Sequence, residues 1–229
     1  MAMKFFGAFL VLFVFYEALT WPDVGELAER NPETTAFIER YRARERWSGR
    51  EPRLEWQWAP YGSLSRNLKR AAVVAEDANF FRHHGFDLEE MQKAIAKARE
   101  EREWPRGAST ITQQLAKNLW LSPSYNPLRK LKEALLTIEL ERNLPKRRIL
   151  ELYLNVVEFG PGIFGAEAAA RHYFHKPAAM LSDREAAMLA ASLPRPKSWH
   201  PGVSSRGYRR RVNTILRRMS KAGYLRGEL

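Results

Sequence analysis

The chain has 229 residues and not one cysteine. No disulfide can staple it and no thiolate zinc site can organise it, so its stability must come from packing and polar networks. The lack of cysteine is compatible with an oxidising compartment. Acidic residues are also scarce: 26 Asp and Glu stand against 38 Lys and Arg, a formal net charge of +12. That balance favours anionic partners, whether nucleic acid, anionic lipid head groups or phosphorylated substrates. Internal repeats and low-complexity tracts are absent. The length suits one globular domain with an anchor, and it can bury a sizeable core.

Long hydrophobic runs are lacking except at the N-terminus. Phe5 to Tyr16 reads FFGAFLVLFVFY, and its apolar character extends to Trp21 with Glu17 as an interruption. This is short for a spanning helix, with Trp21 suited to the membrane interface. A cleaved signal peptide is the rival reading, but no small-x-small cleavage site stands around Glu17 to Pro22. Lys4 precedes the run while Asp23, Glu26 and Glu29 follow it, so the positive-inside rule puts the remainder of the chain outside the cytoplasm. The expected organisation is an anchor over 1–21, a polar stem over 22–53 and a globular domain over 54–229.

The chain is organised around Val73 to Asp87, VVAEDANFFRHHGFD. Leu64, Leu68, Ala72 and Glu76 recur every four residues and would share one helix face. Glu76 then ends an apolar stripe, where loss of water raises a carboxylate's pKa towards values useful for acid–base work. Asp77, Phe80, His83 and Gly85 follow around one bend and suggest the wall of a site. The plainer alternative is a helix-end acid beside two buried phenylalanines.

Downstream the pattern is helical. Leu54, Trp56 and Trp58 alternate and allow one short strand. A helix is expected from Ser63, another from Asp87 with Leu88, Met91 and Ile95 as its apolar stripe, and others over Ser109–Trp120, Leu128–Arg142, Pro145–Asn155, Ala166–Tyr173, Ser182–Leu193 and Arg206–Lys221. Asp87/Glu90, Thr110/Gln113 and Ser182/Glu185 have capping-box spacing. Phe159 to Gly165 reads as a tight turn. The fold class is mainly α.

Two polar stretches carry further chemistry. In GASTITQQLAK, from Gly107 to Lys117, the capped helix start would offer backbone N–H groups to an anion, with Thr110, Gln114 and Lys117 on one side. In RKLKE, Arg129 and Glu133 stand at i and i+4, and Lys130 lies three residues before Glu133. That spacing most often marks a surface salt bridge worth about 0.3–0.5 kcal/mol. The functional alternative is a phosphate clamp held in place by Glu133. The arginines of the last helix, among them Arg206, Arg209, Arg210, Arg211, Arg217 and Arg218, read as a solvated face or as a surface for anionic lipid.

These stretches together resemble the peptidoglycan glycosyltransferases, the family that includes the glycosyltransferase halves of bifunctional penicillin-binding proteins. Glu76-Asp77 with Phe80, His83 and Gly85 is similar to its first motif, GASTITQQLAKN to its second, RKLKE to its third and KRRILELYLN, from Lys146 to Asn155, to its fourth. Gly160, Gly162, Gly165, Tyr173-Phe174, Lys176, Glu185 and Pro194 continue the likeness. Several motifs in order with the expected gaps form a specific signal. The chain departs at Ala108, where the second motif usually has a glycine, and at Tyr125, where many members carry an arginine.

The resemblance implies a lysozyme-like helical domain, preceded by one transmembrane helix, that polymerises lipid II into β-1,4 glycan strands and releases undecaprenyl diphosphate. It implies Glu76 and Glu133 as catalytic groups. Asp77, Phe80, His83, Ser109, Thr110, Gln113, Gln114, Lys117, Asn118, Arg129 and Lys130 would bind substrate. No cofactor is evident, although a divalent cation (Mg or Mn) could enter with the substrate pyrophosphate. The implied partners are lipid II, the nascent glycan strand, membrane lipids and other cell-wall synthesis or division proteins. Nucleic acid is not expected on the outer side of a membrane. A lysozyme-like muramidase or lytic transglycosylase is the nearest alternative, but it needs no pyrophosphate clamp. An inactive membrane-anchored scaffold is the other.

Overall fold

A computed structural model describes residues 17, 19–101, 107, 109–124 and 126–229. The apolar run from Phe5 to Tyr16 and the departure at Tyr125 both lie outside the described residues. Among the described residues no helix is long and apolar enough to cross a membrane.

The described chain is mainly α, with nine α-helices and a small sheet. Helix α1, Ala36–Trp47, lies in the stretch expected to be a polar stem. Its sequence is charged nearly all round, and only Ile38 and Tyr41 are buried, so no apolar period announces it. Thr35 caps it by accepting from the Ile38 N–H at 3.1 Å, and the Tyr41 hydroxyl donates to the Arg53 carbonyl at 2.9 Å. These bonds and burial of Ile38 and Tyr41 against Phe164 dock α1 on the domain.

The sheet joins β1 (Glu55–Trp56), β2 (Glu158–Gly160) and β3 (Ile163–Phe164) in the order β1-β3-β2. β1 pairs with β3 in parallel and β2 with β3 antiparallel. The expected strand around Trp56 is therefore present, and the glycine-rich turn is the end of a hairpin. Gly162 makes that hairpin possible: its φ is +77°, and a Cβ would lie 2.5 Å from the Tyr41 hydroxyl and 2.7 Å from the Arg53 carbonyl.

Helix α2, Arg66–Glu76, starts later than the sequence suggests, because Ser65 caps it by accepting from the Leu68 N–H at 3.1 Å. Leu64 is buried just outside the helix. Helix α3 is Leu88–Glu101, capped by Asp87, which accepts from the Glu90 N–H at 3.0 Å. Its expected stripe is not a core face: Leu88 and Ile95 are exposed, and Ala98 is its buried residue.

Helices α4 (Ile111–Trp120), α5 (Pro127–Asn143) and α6 (Lys146–Val156) follow, then α7 (Ala166–Phe174), α8 (Asp183–Ser192) and α9 (Arg206–Lys221). The Thr110/Gln113 and Ser182/Glu185 capping boxes both form. Two helix groups meet at one core: α2 packs on α8 and α9, and α4 packs on α5 and α6. Leu68, Phe80, Leu115, Leu136, Leu150, Tyr153 and Phe159 are fully buried there. Each large apolar side chain so buried contributes about 1.5–3 kcal/mol. The site described next lies where the two groups face each other.

Gly162→Ala should destabilise the domain by more than the about 1–2 kcal/mol of a left-handed L-residue, because steric contact adds to the backbone cost. Thermal unfolding followed by circular dichroism should show a lowered midpoint. An unchanged midpoint would mean that the hairpin can relax without loss.

Candidate active site

Glu76 is the last residue of α2, and its side chain is 10% exposed. Its Oε2 accepts from Gln114 Nε2 at 2.9 Å and its Oε1 accepts from Arg211 at 2.7 Å. Burial pushes the carboxyl above the ordinary range, while Gln114, Arg211 and the nearby Lys117 pull it back. The desolvation expected from the stripe is therefore present and is the largest effect on this group. Glu76 opens onto a cleft of about 500 Å³ that Ser109, Arg218, Lys221 and Tyr224 also line.

Asp77 turns the other way. Its Oδ2 accepts from the Ile111 N–H at 3.0 Å, and its Oδ1 lies 2.9 Å from His83 Nε2. It thus supplies the anion at the start of α4, where the sequence suggested an open anion site. Two more donors of that end are also used: the Gln113 N–H bonds Thr110 Oγ1 at 3.2 Å, and the Thr110 N–H bonds Gln113 Oε1 at 3.0 Å. The Thr110 hydroxyl donates to the Gly85 carbonyl at 2.6 Å. Gly85 has a φ of +89°, and a Cβ there would sit 2.7 Å from the Thr137 methyl, so α5 closes on this bend.

On the other side of Glu76 stands a cation cluster. Glu133 is buried, accepts from Arg129 at 2.6 Å and pairs with Lys130. This is not a solvated surface pair, because Glu133 and most of Arg129 are removed from water, whereas Lys130 keeps 51% of its side-chain exposure. Lys117, on α4, is half-buried, and among the described residues no carboxylate closes an ion pair with it. Burial pushes its ammonium down, Glu133 and Glu76 support it, and Arg129 and Lys130 oppose it. The buried Arg129 Nε is likewise left without a hydrogen-bond partner. Positive charge in this cluster exceeds what Glu133 neutralises.

The structure thus brings together Glu76, Gln114, Lys117, Arg129, Lys130 and Glu133. Ser109 is exposed at the cleft rim. Asp77 and Thr110 also line the cleft, although both are largely buried. Phe80 is a core side chain, edge-on to Phe81 at 4.9 Å with Lys146 4.5 Å above its ring. Asp77, His83, Thr110 and Gln113 form the network that joins the bend to α4, and Asn118 Nδ2 donates back to the Gln114 carbonyl at 2.7 Å. These bonds tie the bend to α4, while the buried Nδ1 of His83 has no hydrogen-bond partner.

Arg211 and Arg218 reach the site, although the sequence reading assigned them to a solvated or lipid-facing helix surface. Arg211 grips Glu76, and Arg218 donates to the Val74 carbonyl at 3.2 Å. A signal was present: with Tyr208, Val212, Ile215 and Met219 they occupy one wide face of α9 at helical spacing. The remaining arginines of α9 stay outside that face.

One cluster offers metal-ligating atoms within 4.8 Å of one another among the described residues: Asp77, His83 and Asp87. Every carboxylate oxygen in it already accepts a protein hydrogen bond, from His83, Ile111, Asn79 or Glu90.

A buried, base-like carboxylate beside an underneutralised cation cluster is the equipment of an enzyme that transfers a group away from an anionic leaving group. The family model described as Transglycosylase matches residues 45–220, and the chain belongs to that family. It is a glycosyltransferase. Similar proteins named biosynthetic peptidoglycan transglycosylase occur in Laribacter hongkongensis, at 45% identity over 93% of this chain and 94% of the relative, and in Thiobacillus denitrificans, at 47% over 91% and 87%. One from Neisseria gonorrhoeae is 41% identical over 92% and 91%.

Arg211→Gln should move the acidic limb of the pH–rate profile to higher pH. The sign follows from Glu76: removing a cation that lowers its pKa leaves the ionised form scarcer at a given pH. Rates measured from pH 5 to 9 check this, and an unmoved limb would detach Arg211 from Glu76 ionisation.

Proposed function

We propose that this protein polymerises lipid II into β-1,4 glycan strands, with Glu76 as general base and undecaprenyl diphosphate as leaving group. The observation that carries the reading is the pairing of a desolvated, hydrogen-bonded Glu76 with Lys117, a cation without a counter-ion of its own. The 4-hydroxyl of one saccharide loses its proton to Glu76 as its oxygen attacks C1 of another. The bond from C1 to the diphosphate oxygen breaks, and negative charge grows on that oxygen. Lys117, Arg129 and Lys130 are arranged to receive this charge, and Glu133 holds the two bases of its own helix in place. Attack opposite the leaving group turns an α-linked donor into a β-linked product.

A muramidase would need the acid but not the cluster. The excess charge around Lys117 and Arg129 supports the transferase over the hydrolase and over an inactive scaffold. The helical architecture fits a lysozyme-like domain.

The surface beside the clamp supports work at a membrane. Leu128, Leu131, Leu135 and Ile138 recur along the outer face of α5 and are exposed. Trp21, Trp120, Leu128, Leu131 and Leu135 line an open trough of about 430 Å³ that reaches Arg129. An apolar surface next to a diphosphate clamp suits a substrate whose lipid stays in the bilayer. In this reading the segment from Met1 to Trp21 is a single membrane anchor and the domain lies outside the cytoplasmic membrane.

Glu76→Gln should keep the fold and lose at least about 100-fold in polymerisation of labelled lipid II, the scale of a missing general base. Lys117→Ala should also be severe, because a lost charge-assisted contact costs about 1.5–3 kcal/mol. Near wild-type polymer from either variant would remove that residue from the mechanism.

A further inference from the structure

We infer that Tyr153 is a positioning residue for the base, acting through Gln114. Its hydroxyl donates to Gln114 Oε1 at 3.0 Å, and Gln114 Nε2 donates to Glu76 Oε2 at 2.9 Å. Tyr153, on α6, is fully buried, so water does not compete for its hydroxyl. Burial and the neighbouring carboxylates hold the phenol well above its ordinary range. It is therefore a neutral hydroxyl at every pH at which the enzyme works.

The chemistry of an amide explains why this matters. Gln114 can present either its NH2 or its carbonyl to Glu76, and only the NH2 can bond an ionised carboxylate. With the NH2 on Glu76, the carbonyl faces Tyr153 and needs a donor there, which the hydroxyl supplies. If the amide turns over, its carbonyl meets the carboxylate and the two oxygens repel unless Glu76 is protonated. A turned-over amide would offer the Tyr153 hydroxyl only N–H groups and end its donation to Gln114, so Tyr153 favours the orientation that serves the ionised base.

Amide orientation is thereby linked to the protonation of Glu76, and the carboxylate is held from two elements at once. Arg211 of α9 takes Oε1, and the Tyr153–Gln114 pair of α6 and α4 takes Oε2. Phenylalanine at position 153 would keep the core packing and leave the Gln114 carbonyl without its donor. The amide would then be less firmly committed to Glu76, and the ionised base would be less favoured.

This inference rests on Glu76 as the base, and its test separates the two. The full chain in detergent is assayed on lipid II from pH 5 to 9, and the Glu76 carboxylate is titrated directly by infrared difference spectroscopy against Glu76→Gln. Tyr153→Phe should raise the pH at which Glu76 ionises, move the acidic limb of kcat the same way, lower kcat at neutral pH by about twofold to tenfold, the scale of one ordinary hydrogen bond, and leave KM for lipid II nearly unchanged. In a Gln114→Leu background the same change should add nothing to either pH dependence. Should Tyr153→Phe fold poorly, site-specific Tyr153→3-fluorotyrosine keeps the shape, strengthens the donor and should shift both in the opposite direction. An unmoved Glu76 titration, or a shift of equal size with Gln114 absent, overturns the linkage and leaves Tyr153 a core residue. Polymerisation by Glu76→Gln would refute the base without touching the titration result.

Discussion

The desolvation of one carboxylate is the constraint on which the rest of this structure depends. An acid taken from water without partners would protonate and destabilise the fold. Here Glu76 is buried at a helix end but receives two donors, from Gln114 and from Arg211. Holding both in register requires α2, α4 and α9 to stay packed as they are. The Asp77 carboxylate anchors the start of α4 beside it, so two adjacent acids have opposite duties. In the proposed mechanism one is kept available for chemistry, while the other supports the frame.

Charge is arranged with the same asymmetry. Much of the formal excess of +12 is solvated surface. A small part is concentrated around a single buried glutamate that cannot neutralise it. Glu133 satisfies Arg129 and Lys130 in part, and Lys117 is left for something that arrives from outside. In the proposed mechanism an anionic diphosphate is the ligand this arrangement binds and then favours more strongly as it departs.

Much of this was readable in the sequence because it followed from local rules. The capping boxes at Thr110 and Ser182 formed, and α9 buried Tyr208, Val212, Ile215 and Met219 as its period implied. What escaped was decided by tertiary contact. Helix α1 has too few apolar residues to show a period. Leu88 and Ile95 have the spacing of a core stripe, but among the described residues they are exposed. Phe80 belongs to a motif-like stretch yet packs into the core, since motif membership does not say which way a side chain faces. Arg211 and Arg218 shared the face of Tyr208, Val212, Ile215 and Met219, but which group that face would meet needed the fold. The link from Tyr153 through Gln114 joins residues 39 positions apart and needs the fold before it can be seen.

The stereochemistry and fate of the donor sugar give the most direct test of base-assisted displacement on lipid II. Purified full-length protein in detergent is given C1-labelled lipid II, and the product is examined by NMR at the labelled carbon and by size before and after muramidase digestion. A long, muramidase-sensitive strand whose labelled carbon is β-linked is the expected product. Reducing sugars without polymer, or retention of the α-linkage, would contradict a transferase that works through Glu76 and the Lys117 cluster.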